Sequence, residues 1–323
     1  MKKWLPTALL VAAFLSSLYV GATQIDSFWS ALINPGSNEI LWQIRFPRVT
    51  AAVIVGAALG VAGLLAQGAC NNAVAEPAIL GTAAGAAFGA VLAISSGLVE
   101  VGTIGAIASG TVGALLTTSL TFKLAALRGA LSSFTLIIVG IAVSAIFTSL
   151  VGIASAMASR ADARSISFWS FGSLALITSD NLIGIAITTV IGLVIAWQIA
   201  PSLDRLSLGD ATAFHLGVNV ARIRLLALIG LSILAGGAVS TVGSIAFIGL
   251  AAPHIARFIF GPAHRSLVRH SAIIGGLIVV VADTLSRTIA QPNELPIGLA
   301  TALLGAPVLI ALVTFKNNVW RTQ

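Results

Sequence analysis

Uncharged stretches of 21 to 32 residues recur along this chain, and each is long enough to cross a lipid bilayer. They lack Asp, Glu, Lys and Arg and run over 49–75, 77–99, 101–122, 129–159, 181–203, 225–256 and 295–315. The hydrocarbon core of a bilayer is about 30 Å thick and needs about 20 apolar residues per helix. Because a helix satisfies its own backbone hydrogen bonds in lipid, the pattern predicts an all-α, polytopic membrane protein.

The composition excludes several classes of soluble protein. Only 8% of the 323 residues are charged and 58% are hydrophobic, whereas about 25% are charged in a typical soluble domain. An ordinary soluble enzyme, a disordered chain and a nucleic-acid binder are therefore excluded. The net charge of +7 comes from 17 Lys and Arg residues spread over the whole length. The single cysteine, Cys70, excludes an internal disulfide framework and a Cys-rich metal site.

The apolar segments predict about ten transmembrane helices in a single domain, 1–323. An N-terminal apolar segment begins at residue 4 and turns polar after Thr23, and Asn-Pro-Gly at 34–36 breaks any helix there. The stretch 225–256 is too long for one span, and its glycines at 236, 237 and 243 favour two helices with a tight turn between them. The predicted spans are 4–23, 49–70, 78–97, 101–122, 133–157, 182–200, 220–238, 244–260, 271–290 and 296–315. The alternative for the N-terminus, a signal peptide, is disfavoured because the apolar run is long and no clear cleavage site ends it.

The positive charges predict that both termini lie in the cytoplasm. Cytoplasmic loops of membrane proteins carry an excess of Lys and Arg. With ten spans, the inside segments carry twelve basic residues: Lys2, Lys3, Lys123, Arg128, Arg205, Arg222, Arg224, Arg257, Arg265, Arg269, Lys316 and Arg321. The outside segments carry five: Arg45, Arg48, Arg160, Arg164 and Arg287.

No motif for catalysis or for nucleotide binding is present in the sequence. It lacks the phosphate-binding G-x-x-x-x-G-K-[ST] loop, the G-x-S-x-G elbow and the H-E-x-x-H helix. The four histidines are scattered, so we predict no catalytic residue, no metal site and no bound cofactor. Glu76 is expected at a cytoplasmic turn, and Asp283 and Arg287 can pair one helical turn apart. Because intramembrane charge is the usual mark of ion coupling, its scarcity indicates that another subunit supplies the energy.

Several motifs occur in an order and spacing typical of one family of transporters. They are Arg45-Phe46-Pro47-Arg48, Asn72–Gly81, Phe168–Leu174, Leu208–Ala213 with Leu216-Gly217, Gly243–Arg257, Ala282-Asp283 with Arg287, Glu294–Gly298 and Gly305-Ala306-Pro307. From about Trp42 to Phe315, the sequence resembles the membrane (permease) subunits of ABC importers for iron siderophores, haem and cobalamin. The resemblance implies the type II ABC importer permease fold, with about ten transmembrane helices.

The resemblance also implies the function and the partners. The chain would be the translocation subunit for a ferric chelate, a siderophore or haem, which it moves inward by alternating access in the bacterial plasma (inner) membrane. The implied partners are a cytoplasmic ATPase dimer that binds ATP and Mg, a periplasmic or lipid-anchored binding protein, and a second permease subunit in a homodimer. Arg160 and Arg164 beside the Phe168–Leu174 motif fit an anionic chelate. Cobalamin import is the alternative within the family, and an ion-coupled secondary transporter is the alternative outside it.

Three groups of residues match functional positions of such permeases. Arg45, Arg48 and Arg287 match outer arginines that meet glutamates of the binding protein; snorkelling, or pairing of Arg287 with Asp283, is the alternative reading. The cytoplasmic loop 203–219 matches the segment that couples to the ATPase. Its matching residues are Leu208, Gly209, Asp210, Ala213, Leu216 and Gly217; Asp210 is expected to cap or precede a short helix, and Ala213 and Leu216 to form its apolar face.

The cytoplasmic gates of such permeases lie at two turns. They match Asn72 and Val74 after the second span, and Ser133 and Phe134 before the fifth. This chain departs from the family at Ala73, where proline is usual, and Phe134 is bulkier than the small polar residue often found there. These departures favour one of two readings of the four residues: they form a gate that is more apolar than usual, or they only pack at the ends of helices.

Overall fold

The computed structural model is built from α-helices. It describes residues 4–21, 23, 25, 28–100, 102–127, 132–157, 166–167, 169–175, 177–290 and 293–315, and these contain no β-strand. The helices described within these ranges are α1 (Leu5–Tyr19), α2 (Phe28–Ile33), α3 (Phe46–Ala69), α4 (Thr82–Ser95), α5 (Ile104–Ala126), α6 (Ser133–Met157), α7 (Ser179–Leu206), α8 (Asp210–His215), α9 (Val220–Val242), α10 (Ile248–Phe260), α11 (His264–Ser286) and α12 (Ile297–Phe315). A π-helical turn over Ile40–Arg45 leads directly into α3.

Within the described residues, six helices are long and apolar enough to cross a membrane. They cover Ile40–Ala69, Ile104–Ala126, Ser133–Met157, Asn181–Leu206, Val220–Val242 and His264–Ser286. Four apolar helices are shorter: Leu5–Tyr19, Thr82–Ser95, Ile248–Phe260 and Ile297–Pro307. The all-α, polytopic architecture is confirmed, and the number of ten bilayer crossings stays a prediction.

Helix α3 forms the centre of the bundle, where it packs against α7, α9, α10 and α11. Glycines on α3 allow the closest of these approaches, since a Cβ added at Gly56 would overlap the backbone of Gly275 and one added at Gly63 the backbone of Gly249. Small residues let helix backbones approach closely where lipid gives no hydrophobic driving force. As a result, eighteen of the 24 residues of α3 are buried.

The break in the 225–256 stretch lies later than the sequence predicted. Helix α9 continues through Gly236 and Gly237 as far as Val242. These two glycines pack against Thr111 and Thr188 of neighbouring helices, so they serve packing instead of a turn. The chain leaves the helix at Gly243, whose φ of +77° suits glycine.

Helix α11 also begins earlier than predicted, at His264 instead of residue 271. The Asp204 carboxylate accepts a 2.9 Å hydrogen bond from the backbone N–H of His264 and a 2.7 Å bond from its Nδ1. This contact satisfies an N–H that a helix start would otherwise leave unpaired. Helix α11 therefore carries Arg265 and Arg269 on its first two turns.

Candidate coupling, gating and docking sites

The predicted coupling loop forms a short helix between two tight turns. Helix α8 lies between Gly209 (φ +98°) and Gly217 (φ +78°), conformations that favour glycine. Exposed apolar side chains cover this segment: Leu208 is 61% exposed, Phe214 70% and Leu216 51%. Ala213 is buried, so the expectation that it shares the exposed apolar face with Leu216 is wrong. Phe214, which sequence reasoning missed, takes that place as the most exposed side chain.

Arg224 of α9 anchors α8 to the end of α3. Its guanidinium is 3% exposed and makes two 2.9 Å hydrogen bonds to the carboxylate of Asp210. Its Nε donates a 3.0 Å bond to the backbone carbonyl of Ala69, the last residue of α3. A cation at this position complements the negative end of the helix dipole. Asp210 starts α8, as expected, but its side chain pairs with Arg224 and makes no capping hydrogen bond.

The other end of the coupling segment is held by hydrogen bonds to a side chain. Asp204, two residues before the end of α7, contacts His264 at 2.7 Å. Residues 207–219 therefore extend from two anchored points, one on α11 and one on α3 through Arg224. The sequence gives no sign of this contact, because the partner of Asp204 lies 60 residues away.

The predicted gate after the second span lies in irregular backbone that follows α3. The backbone N–H of Asn72 donates to Gln67 at 3.1 Å, and the Asn72 side chain accepts a 3.0 Å bond from the N–H of Val74. Val74 is 51% exposed. Just before them, Cys70 is fully buried.

The second predicted gate lies at the start of α6. Ser133 is the first residue of this helix, and Phe134 is 74% exposed. Ser132 precedes them, and its Oγ accepts a 3.1 Å bond from the N–H of Thr135, as an N-cap does. Among the described residues, no hydrogen bond joins Ser133 or Phe134 to Asn72 or Val74, and their role as a gate stays a prediction.

Irregular backbone between Cys70 and Gly81 runs back along the bundle beside α5 and α6. Hydroxyl groups of these helices satisfy its carbonyls: Ser144 donates to Ala78 at 2.9 Å, and Thr121 donates to Leu80 at 3.2 Å. Irregular backbone at membrane depth persists only where protein or water satisfies it. Helix α4 consequently begins only at Thr82.

Glu76 joins this segment to the break before α10. Its carboxylate accepts a 3.1 Å hydrogen bond from the backbone N–H of Phe247, which immediately precedes α10. Phe247 has a φ of +68°, rare for a residue with a side chain. Glu76 lies in the irregular backbone between α3 and α4, and its side chain holds a helix start 171 residues away along the chain; its place on the cytoplasmic side stays a prediction.

The three arginines predicted to meet the binding protein are engaged within the chain. Arg45, Arg48 and Arg287 are 4%, 8% and 7% exposed. Arg48 pairs with Asp283 and Glu294 at 2.9 Å each. Arg287 lies 3.4 Å from the same Asp283, the alternative pairing that the sequence left open.

Arg45 makes a different set of contacts, because its partners are backbone carbonyls at the end of α1 and just after it. It donates to Leu18 at 2.9 Å, to Tyr19 at 2.8 Å and to Thr23. None of these contacts tests docking, which stays a prediction for all three arginines. Arg160 and Arg164, which were expected to suit an anionic chelate, lie outside the described residues.

Comparison with known proteins decides the family. The model of the FecCD transport family matches residues 9–315 of this chain. The chain belongs to the FecCD transport family. The resemblance inferred from its motifs is thereby confirmed, and this FecCD protein is a multi-pass membrane permease of an ABC importer.

Curated relatives of this FecCD permease include transport subunits with different ligands. The hemin transport system permease protein HmuU of Yersinia pestis is 36% identical over 317 residues, which cover 94% of this chain and 92% of HmuU. The iron(3+)-hydroxamate import system permease protein FhuB of Bacillus subtilis (strain 168) is 36% identical over 312 residues, 94% of this chain and 80% of FhuB. The vitamin B12 import system permease protein BtuC of Vibrio vulnificus is 33% identical over 340 residues, 98% of this chain and 96% of BtuC.

Solved structures agree with the fold of the FecCD permease. An inward-facing structure of a metal-chelate type ABC transporter superposes with a TM-score of 0.83 at 29% identity, covering 97% of this chain and 98% of that one. PsaBC from Streptococcus pneumoniae superposes with a TM-score of 0.60 at 17% identity and supports the fold alone.

Proposed function

We propose that this FecCD permease moves a ferric chelate, a siderophore or haem, into the cell by alternating access. The observation that carries the proposal is the exposed apolar face of the 207–219 segment on an ion-paired base. Without a partner, the apolar side chains of this face would be exposed to water at an unfavourable free energy. They belong to Leu208, Phe214 and Leu216. A partner that covers this face and moves it would move α3 as well, because Arg224 joins the two.

The partner proposed for this face is a cytoplasmic ATPase dimer, which binds ATP and Mg. This assignment places the 207–219 segment, and both termini, in the cytoplasm of a bacterial inner-membrane protein. The twelve-to-five distribution of basic residues supports the same orientation. A second permease subunit, identical in a homodimer, completes the translocation path, and Asn72, Val74, Ser133 and Phe134 form its cytoplasmic gate.

A binding protein is proposed to dock at the opposite end of the bundle. Arg48 pairs with Glu294, whose side chain is 39% exposed to solvent. Glutamates of a binding protein would compete with Asp283 and Glu294 for Arg48 and Arg287. Docking of this kind would change the ion pairs between α3 and α11, so delivery of the ligand would alter the contacts between these two helices.

Cobalamin is the second candidate ligand, because cobalamin permeases at 33% identity match nearly the whole chain. One experiment distinguishes the three ligand classes, ferric siderophore, haem and cobalamin. The permease is reconstituted in proteoliposomes with the ATPase and binding protein encoded beside it, and uptake of a ferric hydroxamate, hemin and cobalamin is measured with and without ATP.

We expect ATP-dependent uptake of one iron chelate that requires both partners. Saturable uptake of cobalamin alone would select the second candidate. Uptake that persists without the ATPase and collapses with the ion gradient would overturn the proposal in favour of a secondary transporter.

The coupling face has its own test. Replacing Phe214 by Ser should reduce co-purification of the ATPase and the uptake that it drives. Leu127→Ser is the matched control, since Leu127 is 78% exposed after α5 but lies outside the segment. Equal effects of the two changes would remove the assignment of ATPase contact to residues 207–219.

A further inference from the structure

A groove of about 510 Å³ lies between α7 and α11 and has one polar and one apolar end. Trp197, Gln198 and Arg269 line the polar end. Leu193 and Ile273 line the apolar end. None of these residues takes part in the coupling, gating or docking contacts described above.

The contact between Asp204 and His264 fixes where the groove lies along the bundle. It places the end of α7 beside the start of α11, so the two helices run antiparallel from one level. At a rise of 1.5 Å per residue, Arg269 lies about 8 Å from this level and Leu193 about 17 Å. The polarity of the groove therefore falls with depth, from guanidinium groups to aliphatic side chains.

Two cations at the mouth of the groove are available for a ligand. Arg265 and Arg269 are exposed, and neither pairs with a carboxylate among the residues that the structure describes. The Arg265 guanidinium lies 5.9 Å from the centre of the Trp197 ring, within cation–π range. This contact holds one of the cations over the groove.

The surface that continues from the apolar end suits lipid chains better than a second protein helix. Ile183, Ile187 and Val190 are 53%, 52% and 59% exposed, and they lead along α7 to Val194 at the groove. Helix–helix contacts in membranes favour small residues, as on α3. A continuous row of bulky branched side chains, as on α7, instead packs well against disordered acyl chains.

We propose that this groove binds one anionic glycerophospholipid. Its phosphate lies between Arg265 and Arg269, its glycerol region beside Trp197 and Gln198, and an acyl chain along Leu193 and Ile273. Basic pockets between transmembrane helices suit anionic headgroups in this way. The site itself stands on the groove and its charges, and only its placement in the cytoplasmic leaflet rests on the proposed orientation.

Native mass spectrometry of the full permease in detergent tests the site. Phosphatidylglycerol and phosphatidylcholine with the same palmitoyl and oleoyl chains are added separately, and the fraction of protein that retains one lipid is measured. An arginine near the membrane surface contributes about fivefold in affinity for an anionic lipid. We expect a preference of about 25-fold for phosphatidylglycerol from two arginines, and of about fivefold in Arg269→Gln or Arg265→Gln.

The matched control is Arg222→Gln, an exposed arginine on α9 outside the groove, which should keep the wild-type preference. Equal retention of the two lipids by the wild-type protein would overturn the proposal. So would an unchanged preference in both groove variants, or an equal loss in the control. A dimer cross-linked through Val194→Cys would show that a second copy of the chain, and not lipid, covers the groove.

Discussion

Arg224 is predicted to transmit movement from the coupling segment to α3, and a double-mutant cycle tests this role. The two changes are Arg224→Gln and Asp210→Asn, separately and together. Arg224 makes hydrogen bonds both to Asp210 on α8 and to the final carbonyl of α3. Losing it would leave the coupling segment attached to the bundle by its other anchor, by the packing of buried Ala213 and Val218, and by the chain itself.

The structure gives the expected cost of each change. The Asp210 side chain is 50% exposed, so solvent screens the ion pair and it contributes about 1 kcal/mol. The Ala69 residue is fully buried, and a buried carbonyl without its donor costs about 1–3 kcal/mol. We therefore expect Arg224→Gln to lower the free energy of unfolding by about 2–4 kcal/mol and Asp210→Asn by about 1 kcal/mol. The double variant should cost less than the sum by about 1 kcal/mol.

Stability and coupling are measured separately. Thermal unfolding is followed by maleimide labelling of Cys70, the only cysteine, which is buried when the protein is folded. Coupling is the number of ligand molecules imported per ATP hydrolysed in proteoliposomes with the proposed ATPase. Both single variants should hydrolyse ATP and import less ligand per ATP. Arg224→Lys should behave like Arg224→Gln, because a single ammonium cannot make the two-pronged contact.

Arg222→Gln is the control, since Arg222 is exposed two residues away on the same helix. An Arg224→Gln protein that imports as much ligand per ATP as the wild type would refute the transmission role. A coupling energy of zero between Arg224 and Asp210 would show that the observed pair contributes nothing in solution. Loss of stability with normal coupling would restrict Arg224 to a structural role.

Three further predictions follow from packing and burial. Gly63→Ala should destabilise the protein by about 1–3 kcal/mol, because the added Cβ overlaps the backbone carbonyl of Gly249. Gly152→Ala is the control, and with open space around it should be neutral or stabilising by up to about 1 kcal/mol. Equal melting temperatures of the two variants would contradict this difference. Maleimide should label Cys70 much more slowly in the folded protein than in the denatured protein at the same pH, because the folded state buries this side chain completely, and equal labelling rates would contradict its burial. Arg48→Gln should lower the free energy of unfolding by about 3 kcal/mol, because it leaves the buried Asp283, 1% exposed, with one cationic partner. It should also weaken binding of the substrate-binding protein, and an unchanged affinity for that protein would remove the docking role.

The existence of the helices could be predicted from the sequence, whereas their ends could not. Charge-free length is a local property, so each apolar stretch predicted a helix in nearly the right place. The ends depended on distant partners. Helix α11 begins at His264 because Asp204 reaches its first amide, and α9 passes through Gly236-Gly237 because two threonines fill the space beside them. Neither contact is visible from spacing along the chain.

The candidate sites show the same division. Motif matching located the coupling loop, but the direction of each side chain required the structure: Ala213 faces inward and Phe214 outward. Arg224 was counted only as one of twelve inside charges, although it begins a 32-residue uncharged stretch. An arginine at such a boundary, seven or eight residues after a coupling motif, is a signal that could have drawn attention to it.

Helix α3 connects the two ends of the proposed transport cycle. Arg48 lies near one end, where it is ion-paired to α11 through Asp283 and to Glu294, and Ala69 lies at the other, where Arg224 joins it to α8. The two residues are 21 positions apart, so the helix between them spans about 32 Å. Between them, the glycine contacts with α10 and α11 hold the backbones together without long side chains that would have to change rotamer. A packed helix of this kind moves as a unit, because an interior at this density has discrete arrangements and does not deform continuously. A partner that displaces α8 and a partner that competes for Arg48 would therefore act on the same rigid element, and the two proposed binding events can be coupled without a chain of side chains through the membrane.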